Sequence, residues 1–236
     1  MKIYNTDAYK IISKFKNENL KVDHIITDPP YNISKENNFS TMNSAKRKGV
    51  DFGKWDKEFD LYSWISDYSE LIRPGGSIII FCSYRYISYI VDNLENVGLV
   101  VKDVLKWIKS NPMPRNINRR YVQDTEFAVW AVKKGGKWVF NKPENVSYLR
   151  AEFHTSTVLG KERTSHPTQK SLALMEDIIN IHTNPHDLIL DPFMGSGTTG
   201  VAALRNNRRF IGVEINEEYF NIAKKRLTEE NNILLF

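Results

Sequence analysis

Leu188-Ile-Leu-Asp-Pro-Phe-Met-Gly-Ser-Gly-Thr-Thr-Gly200 is the stretch on which the reading of the fold turns. Leu188–Asp191 reads as a short buried strand, and Pro192 stops it. Two glycines follow, and Thr198–Asn206 then reads as a helix. Glycines let the chain turn tightly after a strand and let a ligand approach the main chain closely. Phe210–Glu214 reads as the next strand, and Glu214 ends it 17 positions after Gly197. A carboxylate there can accept both hydroxyls of a ribose, so the unit points to an adenosine-containing cofactor. Gly195-Ser-Gly-Thr-Thr-Gly200 also spells G-x-G-x-x-G, which keeps a nicotinamide dehydrogenase open as an alternative. Against that, only 36 residues follow Gly200, too few for a second mononucleotide half.

Toward the N-terminus, an apolar strand Val22–Thr27 runs into Asp28-Pro-Pro-Tyr31. The prolines forbid continuation as strand or helix and stiffen the turn. An exocyclic amino group of a nucleobase is a poor nucleophile, because its lone pair is delocalised into the ring. The Asp28 carboxylate and the Pro29 carbonyl could each accept one of its N–H bonds and expose that lone pair. Pro30 keeps the acceptors aimed, and the Tyr31 ring offers a face for an extruded base, a stack worth about 1–3 kcal/mol. A sulfonium methyl is a fitting electrophile, since it needs in-line positioning and no metal.

Between and around these two signals, strands and helices alternate. Ile3–Asn5 reads as a strand and Ala8–Phe15 as a helix. Leu61–Ile72 reads as a helix stopped by Pro74-Gly75-Gly76. Ser77–Cys82 is a buried strand, Tyr84–Asn96 a helix, and Leu99–Lys109 and Glu126–Lys133 strands. Gly135–Thr164 reads as irregular, Ser171–His182 as a helix and Glu217–Glu230 as the last helix. Such alternation predicts an α/β fold with a mostly parallel, twisted sheet and helices on both faces. Ligands of these sheets bind beyond the strand C-termini, where Asp28, Asp191 and Glu214 all fall.

The 236 residues suit a single domain. The one cysteine, Cys82, excludes a disulfide framework and a multi-cysteine zinc site, and reads as core. No apolar run reaches the length of a membrane span, and the N-terminus lacks a secretory stretch, so a soluble, cytoplasmic protein without a metal is expected. His166 reads as structural. Lysine and arginine exceed acidic residues by 33 to 28, a net +5. The basic islands Ala45-Lys-Arg-Lys48 and Arg115-Asn-Ile-Asn-Arg-Arg-Tyr121 sit in polar stretches, the first inside a long loop, Asn32–Asp56, that reads as mobile. Lys46, Arg47, Lys48, Arg115, Arg119 and Arg120 are the candidate DNA contacts, with Arg115 and Arg119 suited to guanine edges. Trp55 could pack on DNA.

Asp28-Pro-Pro-Tyr31 early and Asp191-Pro-Phe-Met-Gly-Ser-Gly197 late resemble the beta class of S-adenosylmethionine-dependent amino-group DNA methyltransferases of restriction-modification systems. Pro74–Phe81, Glu126–Lys133 and His166-Pro-Thr-Gln-Lys170 are similar to further motifs of that class. The resemblance implies one permuted domain with a Rossmann-like methyltransferase fold: a catalytic half at about 1–133, a recognition insertion at about 134–165 and a cofactor half at about 166–236. It implies that Asp28, Pro29, Pro30 and Tyr31 are catalytic, with Asp28 shared between target and cofactor. Phe193, Gly195 and Gly197 would line the cofactor within a loop that includes Asp191, Ser196 and Thr198. Glu214 would bind its ribose, Asp7 and Ala8 would lie near its adenine, and Thr168, Gln169 and Lys170 would contact its carboxylate. Ser171 stands where the class often has proline. Asp at position 28 resembles the adenine-N6 members more than the cytosine-N4 ones, and both bases suit the chemistry. The base must leave the duplex to react. Double-stranded DNA is the implied partner, and a homodimer and a cognate restriction endonuclease are compatible with the resemblance. An RNA or protein amide methyltransferase is the rival enzyme, although those usually place the glycine loop first. A silent DNA-binding module is the non-enzymatic rival.

Overall fold

Val22–Thr27 (β2) is buried at all six positions, which a strand achieves only with neighbours on both edges and layers on both faces. The structure, a computed structural model, describes residues 1–31, 59–60, 62–114 and 117–233. In chain order the elements are β1 (Lys2–Asn5), α1 (Ala8–Asn17), β2, α2 (Ser63–Ser69), β3 (Ile72–Cys82), α3 (Ile87–Asn96), β4 (Leu99–Lys109), β5 (Thr125–Lys133), β6 (Glu152–Thr155), α4 (Leu172–His182), β7 (Leu188–Asp191), α5 (Thr198–Arg205), β8 (Arg209–Glu214) and α6 (Glu217–Ile233). The sheet has eight strands in the order β1-β8-β7-β2-β3-β5-β4-β6. β5 is antiparallel to both its neighbours and the remaining pairs are parallel.

Alternation along the strands builds two cores. Ile25, Ile78 and Ile80 face α1, α2 and α3, where Phe15, Trp64, Tyr68 and Leu94 are buried. Ile26, Ile79 and Phe81 face α4, α5 and α6, where Ile178, Val201 and Leu227 are buried. The expected α/β architecture with helices on both faces is thus present.

The local boundaries differ in two places. The helix predicted over Leu61–Ile72 spans Ser63–Ser69, and β3 begins at Ile72. Ile72 pairs with Val22 and is buried in the sheet, so its apolar character serves a strand. Val22 faces Ile72 while His24 faces Ser77, and Pro74-Gly75-Gly76 bulges out of the ladder between them. Glycine is required at 76, where a Cβ would lie 2.2 Å from the Asp23 carbonyl oxygen. The second difference is β6, inside the stretch predicted to be irregular. It is four residues long with only Phe153 buried, too short for a period to show.

The segment before β6 is fastened to the body. Asn141 N–H donates to Ile181 O at 2.7 Å, and its side-chain amide donates to Asn180 O and Thr183 O. These bonds occupy carbonyls that the C-terminus of α4 leaves open.

Candidate active site

The C-terminal ends of β1, β2, β7 and β8 form one rim, and antiparallel β5 brings its N-terminal end there too. Asp28 follows β2, Asp191 ends β7 and Glu214 ends β8. β2 and β8 are separated by β7 alone, two strand spacings or about 10 Å. The rim is cross-linked where Thr27 Oγ1 donates to Asp191 Oδ1 at 2.7 Å. The same oxygen accepts the Phe193 N–H at 3.1 Å, which bends the chain out of β7. Asp191 is buried, and burial pushes its carboxyl up to about 7.

The loop after β7 folds over Glu214. Gly195 N–H donates to Glu214 Oε2 at 2.9 Å and Asn216 N–H to Oε1 at 2.7 Å. Gly195 and Gly197 both have positive φ, of 51° and 80°. Gly197 enters α5 in the left-handed region, a conformation that costs a side-chain-bearing residue roughly 1–2 kcal/mol. A Cβ on Gly195 would lie 2.9 Å from His166 Nε2, so the imidazole sits directly on the loop. His166 packs edge-on against Tyr219 at 4.4 Å, and burial lowers its pKa to about 4, which keeps it neutral. Phe193 is half-buried against Phe59 and Trp64, each with ring centres 5.1 Å away.

Around Asp28 a chain of charges closes. Lys170 Nζ donates to Asp28 Oδ2 at 2.6 Å, and the Tyr31 hydroxyl donates to Asp28 Oδ1. The same ammonium lies 3.1 Å from Glu126 Oε2, and Lys109 Nζ lies 2.5 Å from Glu126 Oε1. Burial pushes the Asp28 carboxyl up, Lys170 opposes that push, and Glu126 adds to it. Burial also works against the Lys170 ammonium, yet Asp28 and Glu126 hold it above the ordinary lysine value. For Glu126 burial is outweighed by Lys170 and Lys109, which bring its carboxyl down to about 2. Lys170 further stacks over the rings of Tyr31 and Phe81, 5.3 and 5.2 Å from their centres.

The other sequence candidates are placed as follows. Asp7 caps α1 by accepting the Tyr9 N–H at 2.8 Å, and Ala8 is buried beneath it. Thr6 N–H reaches Glu214 O, so this turn borders the same rim. Gln169 spends its amide within its own segment, accepting from Thr164 and donating to Glu162 O. Thr168 is half-buried. Ser196 O and Thr198 Oγ1 face Arg226 of α6, at 2.6 and 3.2 Å. Arg119 and Arg120 are exposed in the β4–β5 connection at the rim. Lys46, Arg47, Lys48, Trp55 and Arg115 lie outside the described residues. In the sequence Glu126 is visible only as part of a motif and Lys109 only as the end of a strand. Their pairing depends on Lys106 facing Phe127 and Trp107 facing Glu126 across two strands, a register that no local pattern spells. Among the described residues no cluster of histidine, cysteine, aspartate or glutamate could hold a metal ion, and no helix is long and apolar enough to cross a membrane.

A DNA methylase family model (N6_N4_Mtase) matches residues 22–225. The chain is 36% identical to the type II methyltransferase M2.DpnII of Streptococcus pneumoniae over 248 residues, covering 98% of this chain and 91% of that one. It is 33% identical to the type II methyltransferase M.HinfI of Haemophilus influenzae, covering 96% and 68%. Its structure matches the solved M1.HpyAVI–SAM complex with a TM-score of 0.80 and 57% identity, over 96% of this chain and 99% of that one. The PvuII DNA methyltransferase, described as cytosine-N4-specific, shares the fold at a TM-score of 0.70 and 18% identity, over 99% and 92%.

Proposed function

The chain belongs to the DNA methylase family, and from that premise we propose that it transfers a methyl group from S-adenosylmethionine to the exocyclic N6 of an adenine extruded from duplex DNA. The nicotinamide, RNA and protein alternatives fall away with that membership. One observation carries the reading: the acceptor at Asp28 and the glycine loop closed on Glu214 meet at one rim, joined by the Thr27–Asp191 bond. An extruded base and an adenosine-bearing cofactor can therefore share one cleft.

The residues at the rim fit the cofactor. The left-handed glycines turn the main chain tightly at the rim, and the half-buried Phe193 offers an aromatic edge beside it. Glu214 has both oxygens anchored by main-chain N–H groups, which fixes the carboxylate for a ribose. When bound, the cofactor supplies an electrophilic methyl on a sulfonium. Asp28 Oδ1 and the Pro29 carbonyl accept the two amine hydrogens of the base, and Pro30 fixes their aim. Tyr31 stacks on the base once its hydroxyl leaves Asp28. The cleft needs no general base before transfer, because the neutral amine attacks and the methylated amine then gives its proton to the Asp28 carboxylate, which passes it to water. In this reading residues 1–133 hold the target base, 134–165 with the β4–β5 connection meet the DNA sequence, and 166–236 hold the cofactor. Duplex DNA is the substrate. Pairing of two copies is checked by sedimentation, and a companion restriction endonuclease by its failure to cut DNA that this protein has modified.

Tritium transfer from labelled cofactor to duplex DNA, followed by nucleoside analysis, tests the proposal. Label on N6-methyladenine is expected. Label on cytosine would reassign the base, and no label on any DNA would overturn the activity. Asp28→Ala should lower turnover at least about 100-fold, the loss typical of removing one preorganised polar partner. Its calorimetric affinity for the cofactor should be nearly unchanged.

A further inference from the structure

Lys109, Glu126, Lys170 and Asp28 form a line of alternating charge, with successive separations of 2.5, 3.1 and 2.6 Å. The line is drawn from four separate places: the end of β4, the start of β5, the segment before α4 and the turn after β2. Lys170 is only 6% exposed, and a lysine so buried is held in place by its partners. The resemblance aimed this ammonium at the cofactor carboxylate; the structure closes it on two carboxylates of the protein.

Asp28 has two oxygens, and among the described residues each has a partner. Lys170 holds Oδ2, and the Tyr31 hydroxyl holds Oδ1. Tyr31 belongs to the turn itself and can give way to a base. Lys170 is restrained on its far side by Glu126, which Lys109 restrains in turn. We infer that Glu126 is a positioning residue, fixing the Lys170 ammonium on Oδ2 of Asp28 so that Oδ1 is the oxygen presented to the target amine. A carboxylate with one face closed offers a single direction of approach, which is what in-line transfer requires. This inference rests on Asp28 being the amine acceptor.

The groups that face Asp28 are Lys170, Tyr31, Glu126, Cys82 at the end of β3 and Asp191 at the end of β7. His166 stands behind Lys170 and is neutral. Glu126 is the anion among them that bridges to Asp28 through Lys170, and its charge also pushes the Asp28 carboxyl up directly. Glu126→Gln removes that charge while keeping the side-chain shape. The carboxyl titration of Asp28, followed by carbon-13 NMR in the cofactor-free protein and assigned with Asp28→Asn, should then move down by about 1 pH unit. The acid limb of the kcat profile should move the same way. Lys170→Met should move both upward. A contact that merely holds the fold together would change the melting temperature and leave the titration where it was.

A folded Glu126→Gln protein with an unmoved Asp28 titration would overturn the inference. Should Glu126→Gln fail to fold, Lys109→Met serves instead. It leaves the Glu126 charge less neutralised and Glu126 unrestrained on its far side, so the Asp28 titration should rise, and an unmoved midpoint there overturns the inference as well. The NMR titration is read without DNA or cofactor. Failure of methyl transfer by the wild-type protein would therefore strike the proposed activity, and an unmoved midpoint would strike the role of Glu126.

Discussion

Asp191 is a carboxylic acid that the fold keeps partly protonated near neutral pH. Burial raises its carboxyl to about 7, against the opposing bonds from Thr27, Thr199 and the Phe193 N–H. In the unfolded chain an aspartate titrates near 4. The folded state therefore binds a proton that the unfolded state releases. The stability this proton brings is whole below about pH 4 and is lost as the pH rises through 7. Asn at 191 can still accept from Thr27 and Phe193 but does not titrate. The stability of the wild type relative to Asp191→Asn should fall by about 2.5 kcal/mol between pH 5 and 7.5, as read by urea denaturation. An equal gap at both pH values would mean that Asp191 is already ionised in the folded protein. The residues that carry the site divide by how far their meaning travels. Asp28 to Tyr31 could be read in place, because prolines, acceptor and ring lie in one tetrapeptide. Glu126 could not, because its neighbours Lys109 and Lys170 lie 17 and 44 positions away in sequence and meet only through the sheet.

Among the elements, those with long apolar periods were legible and those built from exceptions were not. α1 shows Ala8, Ile11, Ile12 and Phe15 at helical spacing and appears where expected. β7 likewise ends on Asp191, and β2 ends one residue before Asp28. The Pro74-Gly75-Gly76 bulge reads as a helix stop because its residues break every regular structure equally well. What decides between them is a contact between strands: Gly76 passes so close to the Asp23 carbonyl that no Cβ fits. Gly75 has φ +80° and lies against the Lys137 carbonyl, so the bulge also seats the chain after β5. Gly76→Ala must push β3 away from β2, a backbone shift costing about 3 kcal/mol or more. Urea denaturation should show that loss. Turnover per folded molecule should change little, since the bulge lies at the N-terminal end of β2 and the site at the other. A Gly76→Ala protein as stable as the wild type would mean that β3 can slide without strain.

At the scale of the whole molecule, the strand order places every chemical group on one rim and leaves the DNA to approach from there. β5 runs against its neighbours, so the connection between β4 and β5 emerges at that rim as well. That connection carries Arg119 and Arg120, both exposed, and Tyr121, which is 96% exposed. The sequence announced the basic island and the two motifs at Asp28 and Asp191. It could not announce that they arrive at the same edge, since that follows from the reversal of a single strand. The excess of five positive charges is small, so affinity for DNA must come from charges gathered at the rim. A lysine or arginine that neutralises a phosphate releases counterions, and each such contact adds about 0.9 to the slope of log affinity against log salt. Replacing Arg119 and Arg120 together by alanine should flatten that slope by about 2 and weaken binding to specific and non-specific duplexes alike. Fluorescence anisotropy of labelled duplex between low and moderate salt measures it. An unchanged slope would place the two arginines off the phosphates. A loss confined to the preferred sequence would make them readers of base edges.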